Sequence, residues 1–148
     1  MPTTHISLYY HLVFSTKNRH RWIKGCWENR LYSYTGGIIR GLNGVAEEIR
    51  GTEDHVHILA SLKATHCLAD ILREIKSGSS AWVHDVIGNR LFAWQEGYGA
   101  FSVSSWDVDA IRRYIQGQKE HHYRKTYQEE YVDLLKRSGI KFDERYLW

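Results

Sequence analysis

Apolar and polar positions alternate along the chain with two different periods. Residues 6–15 carry β-branched and aromatic side chains without a breaker, the pattern of a first strand. Over residues 22–42, Trp27, Leu31, Tyr34, Ile38 and Leu42 recur at spacings of three and four. That spacing predicts an amphipathic helix, weakened in its middle by Gly36-Gly37 and ended by Asn43-Gly44. Residues 45–50 and 55–62 are strand-like, and the short Gly51-Thr52 connection predicts a hairpin. A second helical stripe follows through Leu68, Ile71, Leu72, Ile75, Ser79, Trp82, Val83 and Val86, with Thr65 as its cap. Residues 91–104 are aromatic and strand-like, and Gly97 and Gly99 predict a bulge or a close backbone approach. Ser104 and Ser105 offer caps for a third helix over residues 107–124, with Asp107 and Asp109 in its first turn. The tail, 128–148, holds a short helix around Tyr131, Leu134 and Leu135, then an aromatic end with Phe142, Tyr146 and Trp148.

The order β-α-β-β-α-β followed by helices is the ferredoxin-like split βαβ, an α+β fold with an antiparallel sheet. It puts the first two helices on one sheet face and leaves the other face to be covered by a partner subunit or a ligand. The 148 residues contain no long linker, low-complexity run or repeat, so residues 1–148 read as one domain.

Composition narrows the classes. A hydrophobic fraction of 43% supports a real core, and 14% aromatics suit dense packing or stacking on bases. A formal charge of +3 is compatible with a polyanionic partner. Cys26 and Cys67 lack paired spacing, which argues against a disulfide scaffold or a four-cysteine zinc site and for a reducing compartment. The first residues lack a signal-type apolar core, and no run approaches the length of a membrane span. A cytoplasmic location is the expectation by elimination.

The chemistry concentrates in two stretches. In the strand containing Asp54-His55-Val56-His57-Ile58-Leu59, His55 and His57 share a face, separated by roughly 6.6 Å of rise. Two imidazoles at that spacing can lean onto one divalent metal. In the third helix, Tyr114 and Gln118 lie one turn apart on one face, with His121 on the same side. Gln118 offers a hard oxygen as a third ligand, while Tyr114 offers a phenol nucleophile that needs a base or charge nearby. His121 and His122 are alternatives to Gln118 as ligand, and Glu53 and Asp54 lie near enough to influence the site.

His55-Val56-His57 resembles the His-hydrophobic-His motif of single-strand endonucleases, and Tyr114-Ile115-Gln116-Gly117-Gln118 resembles the tyrosine helix of the IS200/IS605-type transposases. Length, element order, the Trp94-Gln95-Glu96-Gly97-Tyr98-Gly99 segment and the Arg145-Tyr146-Leu147-Trp148 ending are also similar, so the resemblance covers nearly the whole chain. It implies a single-tyrosine transposase acting on single-stranded DNA with hairpin ends. Tyr114 would form a 5′-phosphotyrosine and free a 3′-OH, and His55, His57 and Gln118 would hold Mg²⁺ or Mn²⁺. No nucleotide cofactor is needed. The resemblance further implies a homodimer, with Tyr114 acting in its own subunit or in its partner.

Lys17, Arg19, Arg21, Arg73, Lys76, Arg112 and Arg113 are the candidate DNA contacts, with Lys119, Arg124 and Lys125 adding positive charge to the third helix. Competing readings are a non-catalytic or domesticated nucleic-acid-binding module of the same fold, a histidine phosphoesterase, for which only His5-Ile6-Ser7 fits, and a structural zinc site from His55, His57, His66 and Cys67. A stacking module has no use for a metal-ligand pair beside a tyrosine.

Overall fold

A computed structural model describes residues 3–122 and 124–148. Met1, Pro2 and Tyr123, the last within the predicted third helix, lie outside the described residues. Strands β1 (Tyr9–Ser15), β2 (Val45–Gly51), β3 (His55–Ser61) and β4 (Gly99–Val103) form one antiparallel sheet in the order β2-β3-β1-β4. This is the split βαβ arrangement expected from the order of elements. Helices α1 (Glu28–Gly41) and α2 (Leu68–Trp82) complete it, and α3 (Val108–Gln116), α4 (Gln118–His121) and α5 (Tyr127–Arg137) follow.

The pleat sorts the core. Leu12, Phe14, Val56, Ile58 and Ala60 point to one face and pack with Leu31, Ile39, Leu72 and Ile75 of α1 and α2. Their alternates His11, Val13, His55, His57 and Leu59 point to the other face. That face is covered by the chain itself, not by a partner or ligand as expected. Ile115 of α3 packs on Leu59 and Val103, and Tyr127, Tyr131 and Leu135 of α5 pack on Val13 and Phe101. The apolar stripes of α3 and α5 therefore make a second layer.

Three elements are shorter than their patterns. The first helix starts at Glu28, because residues 22–27 form a loop whose Ile23 amide donates to Glu53 O at 2.9 Å. The fourth strand is only Gly99–Val103. Upstream, Trp94 bridges Thr16 separately, and the segment between is held by Lys76, whose ammonium donates to the carbonyls of Gln95 (2.8 Å), Glu96 (3.2 Å) and Gly97. The third helix breaks at Gly117, which separates α3 from α4. Neither the Thr65 cap nor the Ser104 and Ser105 caps form at the expected helix starts, which fall to Cys67 and Asp107. By contrast, α5 opens on a capping box between Thr126 and Glu129.

Candidate active site

The hairpin sets the two motif histidines. Gly51 ends β2 directly against His55: a Cβ there would lie 2.1 Å from His55 O, so only glycine lets the strands close at this point. Thr52 donates to Asp54 Oδ1 at 2.9 Å, and Asp54 Oδ1 lies 2.7 Å from His55 Nδ1. A carboxylate can only accept, so His55 Nδ1 carries a proton, and in the singly protonated ring Nε2 presents a lone pair to the site. Asp54 is held below the usual carboxylate range: burial alone would raise it, but hydrogen bonds from His55 and Thr52 overcome that.

His57, two residues on, points the same way and is fully buried. Its Nδ1 lies 2.7 Å from His11 Nε2, and the two rings stack at 5.0 Å. Register explains the pairing: β1 places Val13 opposite His57, with His11 next on the same face. Burial lowers the His11 imidazole to about 3, helped by the neighbouring His57. Burial likewise lowers His57, to about 4, against the opposing pull of Glu130. Both are neutral rings at physiological pH.

The remaining groups come down onto this pair from the second layer. Tyr114 on α3 stands edge-on to the rings of His57 and His11, with centroids 5.8 and 6.0 Å away. Gln118, one turn later and buried, directs its amide Nε2 at Glu130 Oε2 (3.2 Å). Its Oε1 therefore faces His55 Nε2 (3.2 Å) and His122 Nε2 (3.0 Å). Glu130, 2% exposed on α5, lies 2.8 Å from His57 Nε2 and 3.1 Å from His122 Nε2 through Oε1. Tyr114 donates its hydroxyl to Glu130 Oε2. The Glu130 carboxyl is held far below its ordinary value, because hydrogen bonds from His122 and His57 outweigh the opposing effect of burial. Burial raises the Tyr114 phenol, and the adjacent Glu130 charge raises it further. His122 is raised overall, Glu130 overcoming the effect of burial.

The donor set fits a divalent cation. Donor atoms of His55, His57, His122 and Glu130 all lie within 4.8 Å of one another, a span that ligand bonds of about 2.0–2.2 Å can bridge. The lone pair at His55 Nε2 also faces two oxygen acceptors, Gln118 Oε1 at 3.2 Å and Glu130 Oε1 at 3.5 Å. Acceptors facing acceptors in a buried site are unfavourable unless a positive charge lies between them. A metal ion would satisfy all three at once.

His55, His57, Tyr114 and Gln118 thus meet in one place. His122 joins Gln118 there, and His121 reaches Glu130 Oε2 at 3.3 Å. His66 and Cys67 stay away from the site: His66 hydrogen-bonds to Leu42 O and Cys67 is exposed, so the zinc grouping does not form. His11 and Glu130 were missed. Glu130 carried a signal, a carboxylate inside the apolar stripe of Tyr127, Tyr131 and Leu134.

A cleft of about 760 Å³ opens beside His122 and Asp54, lined by Arg19, Arg21, Lys119 and Lys125 and also by Glu28 and Glu53, with Lys119 paired to Glu28 and Lys125 to Asp133. Arg19 also lies over the Trp148 ring at 5.4 Å. The other expected basic contacts are dispersed. Arg73 pairs with Asp70 (3.0 Å), and Arg112 pairs with Glu47 (3.1 Å) and Asp109 (2.9 Å). Arg113 borders a separate cavity with Arg50 and Lys119. Lys17 is exposed, and Lys76 is committed to backbone carbonyls.

Among the described residues, no helix is long and apolar enough to cross a membrane. A family model described as "Transposase IS200 like" matches residues 4–118. No curated protein sequence matches the chain. Among solved structures, a protein assigned as a transposase from Deinococcus radiodurans R1 is 21% identical with a TM-score of 0.65, covering 80% of this chain and 98% of that one. The REP-associated tyrosine transposase bound to a REP hairpin is 15% identical with a TM-score of 0.61, covering 82% of this chain and 73% of that one. At these identities the two structures establish the shared fold.

Proposed function

From the IS200-like transposase family, to which this chain belongs, we propose a metal-dependent single-strand DNA cleavage and strand-transfer enzyme that uses Tyr114 as nucleophile. The observation that carries this reading is the placement of the Tyr114 hydroxyl on Glu130, the carboxylate that also touches His57 and His122.

His55, His57, Gln118, His122 and Glu130 would hold Mg²⁺ or Mn²⁺. A bound ion supplies Lewis-acid polarisation of the scissile phosphate and neutralises the charge that develops there. Tyr114 Oη forms a bond to phosphorus as the bond from phosphorus to the 3′-oxygen breaks. The phenolic proton ends on that oxygen, leaving a 5′-phosphotyrosine and a free 3′-OH. Reversal with another 3′-OH joins strands without an external energy source. Asp54 and His11 fix the ring orientations of His55 and His57 throughout.

The cleft beside His122 suits the substrate backbone, with Arg19 and Arg21 as phosphate contacts and Lys119 and Lys125 available once released from Glu28 and Asp133. Lys17, Arg73, Arg112 and Arg113 would contribute at longer range, together with the hairpin. A relative of the same fold is bound to a REP hairpin, which supports hairpin DNA as the ligand class. Tyr114 and both motif histidines meet within one chain, which favours a tyrosine acting on its own subunit's site, in a homodimer or alone. A binding-only module of this fold would need none of the converging donors.

The test is a covalent-adduct assay with labelled single-stranded hairpin DNA from the flanks of the gene. Wild-type protein with Mg²⁺ or Mn²⁺ gives a protein–DNA band on a denaturing gel, which chelator or Tyr114→Phe removes. Tight binding without adduct or cleavage in any metal, on flanks that contain true element ends, would leave only the binding module.

A further inference from the structure

Glu130 belongs to neither motif, yet it is the most connected group in the site. Two oxygens of a carboxylate offer about four lone-pair directions. Four donors surround Glu130, His57 and His122 at Oε1 and Tyr114 and Gln118 at Oε2, with His121 Nε2 nearby at 3.3 Å from Oε2. A carboxylate buried only for stability would be satisfied by the histidines and the amide. The histidines and the amide fill three of the four directions, and the tyrosine takes the fourth. Tyr114 in turn has ring contacts that fix the plane of the phenol, and its hydroxyl donates to Glu130.

The carrier of Glu130 is well anchored. Helix α5 begins with the Thr126–Glu129 capping box one residue before Glu130, and Tyr127, Tyr131 and Leu135 seat it on Val13 and Phe101 of the sheet. The position of the carboxylate is therefore set by the packing of α5, independently of α3, which carries the tyrosine.

We propose that Glu130 is the positioning residue that delivers the Tyr114 hydroxyl to the metal seat, coupling the docking of α5 to the placement of the nucleophile. One oxygen faces the histidines and the other holds the phenol, so a single side chain sets the distance between them. This inference rests on the reading of Tyr114 as nucleophile.

The test compares wild type with Glu130→Ala and Glu130→Gln. The proteins are labelled with 3-fluorotyrosine, and the Tyr114 resonance is assigned by its loss in Tyr114→Phe. Three quantities are read: the Tyr114 fluorine shift, the Kd for a labelled hairpin oligonucleotide, and the single-turnover adduct rate at Mn²⁺ concentrations that saturate each protein by electron paramagnetic resonance. In Glu130→Ala the Tyr114 resonance moves, the oligonucleotide Kd stays within about threefold, and the adduct rate falls about a hundredfold, the scale expected for misplacing a nucleophile by an ångström. Glu130→Gln, which keeps an acceptor oxygen, recovers part of that rate. An unmoved resonance, or a rate within about threefold of wild type at saturating Mn²⁺, overturns the proposal. If wild type itself forms no adduct, the nucleophile reading fails, and the fluorine shift alone still decides whether Glu130 places the phenol.

Discussion

Acidification of the metal-free protein from pH 7 to pH 5 tests the buried histidine pair. His11 is 2% exposed and His57 is 0% exposed, and burial lowers them to about 3 and about 4. Both folded values lie below the ordinary value of about 6.5, so the unfolded chain takes up protons first as pH falls. Stability is therefore lost from about pH 6.5 downward until the folded values are reached. At pH 5 linkage gives a loss of about 2 kcal/mol for each ring and about 4 kcal/mol for the pair. His122 works in the opposite direction: its folded value is raised, so its contribution is present below the unfolded value and fades as pH rises through the folded one. Asp54 and Glu130 have depressed carboxyls whose contributions are present above their unfolded values of about 4 and stay intact over this range. The assay is urea unfolding in chelator at both pH values, for wild type and His11→Gln, which keeps a side-chain amide for His57 Nδ1. The acid loss in His11→Gln is expected to be smaller than in wild type by about 2 kcal/mol. An identical pH dependence in the two proteins refutes the claim that His11 is held neutral by burial.

Two further outcomes follow from the same geometry. Gly51→Ala drives a Cβ to 2.1 Å from His55 O, which only a backbone shift at the hairpin can relieve; thermal or urea unfolding should record a loss of about 3 kcal/mol or more, with weaker Mn²⁺ binding because His55 moves. Mixing Tyr114→Phe with His57→Ala should restore no adduct formation, since tyrosine and histidine meet in one chain; recovery in the mixture would establish exchange between subunits.

Much of this was readable in the residues. The two sheet faces follow from strict alternation in β1 and β3, so the histidine pair and its orientation were legible from His55-Val56-His57 alone. The Tyr114–Gln118 spacing carried through the Gly117 break because the backbone stays nearly helical there, with Gly117 N donating to Arg113 O at 3.1 Å. His11 was not legible: a histidine in an apolar strand has no local signature, and its partner is chosen by the β1–β3 register. Glu130 was half legible, as a charge in an apolar stripe, but its companions lie on three other elements. The covering of the histidine face was misjudged because the stripe of α5 is short, and its destination depends on tertiary contacts with Val13 and Phe101.

The Lys76 contact joins parts of the molecule that the sheet keeps apart. Its helix, α2, belongs to the layer opposite the site, yet its ammonium grips the segment containing Gln95. Gln95 in turn accepts from the Ser15 amide at 2.6 Å and from the Tyr127 hydroxyl of α5 at 3.1 Å. The two layers are thus strapped together around the sheet's rim as well as glued through its middle. Peeling α5 away opens the Gln95 contact and loosens the strap that α2 holds. Opening of the roof over the site and loosening of the rim on the α2 side are therefore linked through Gln95.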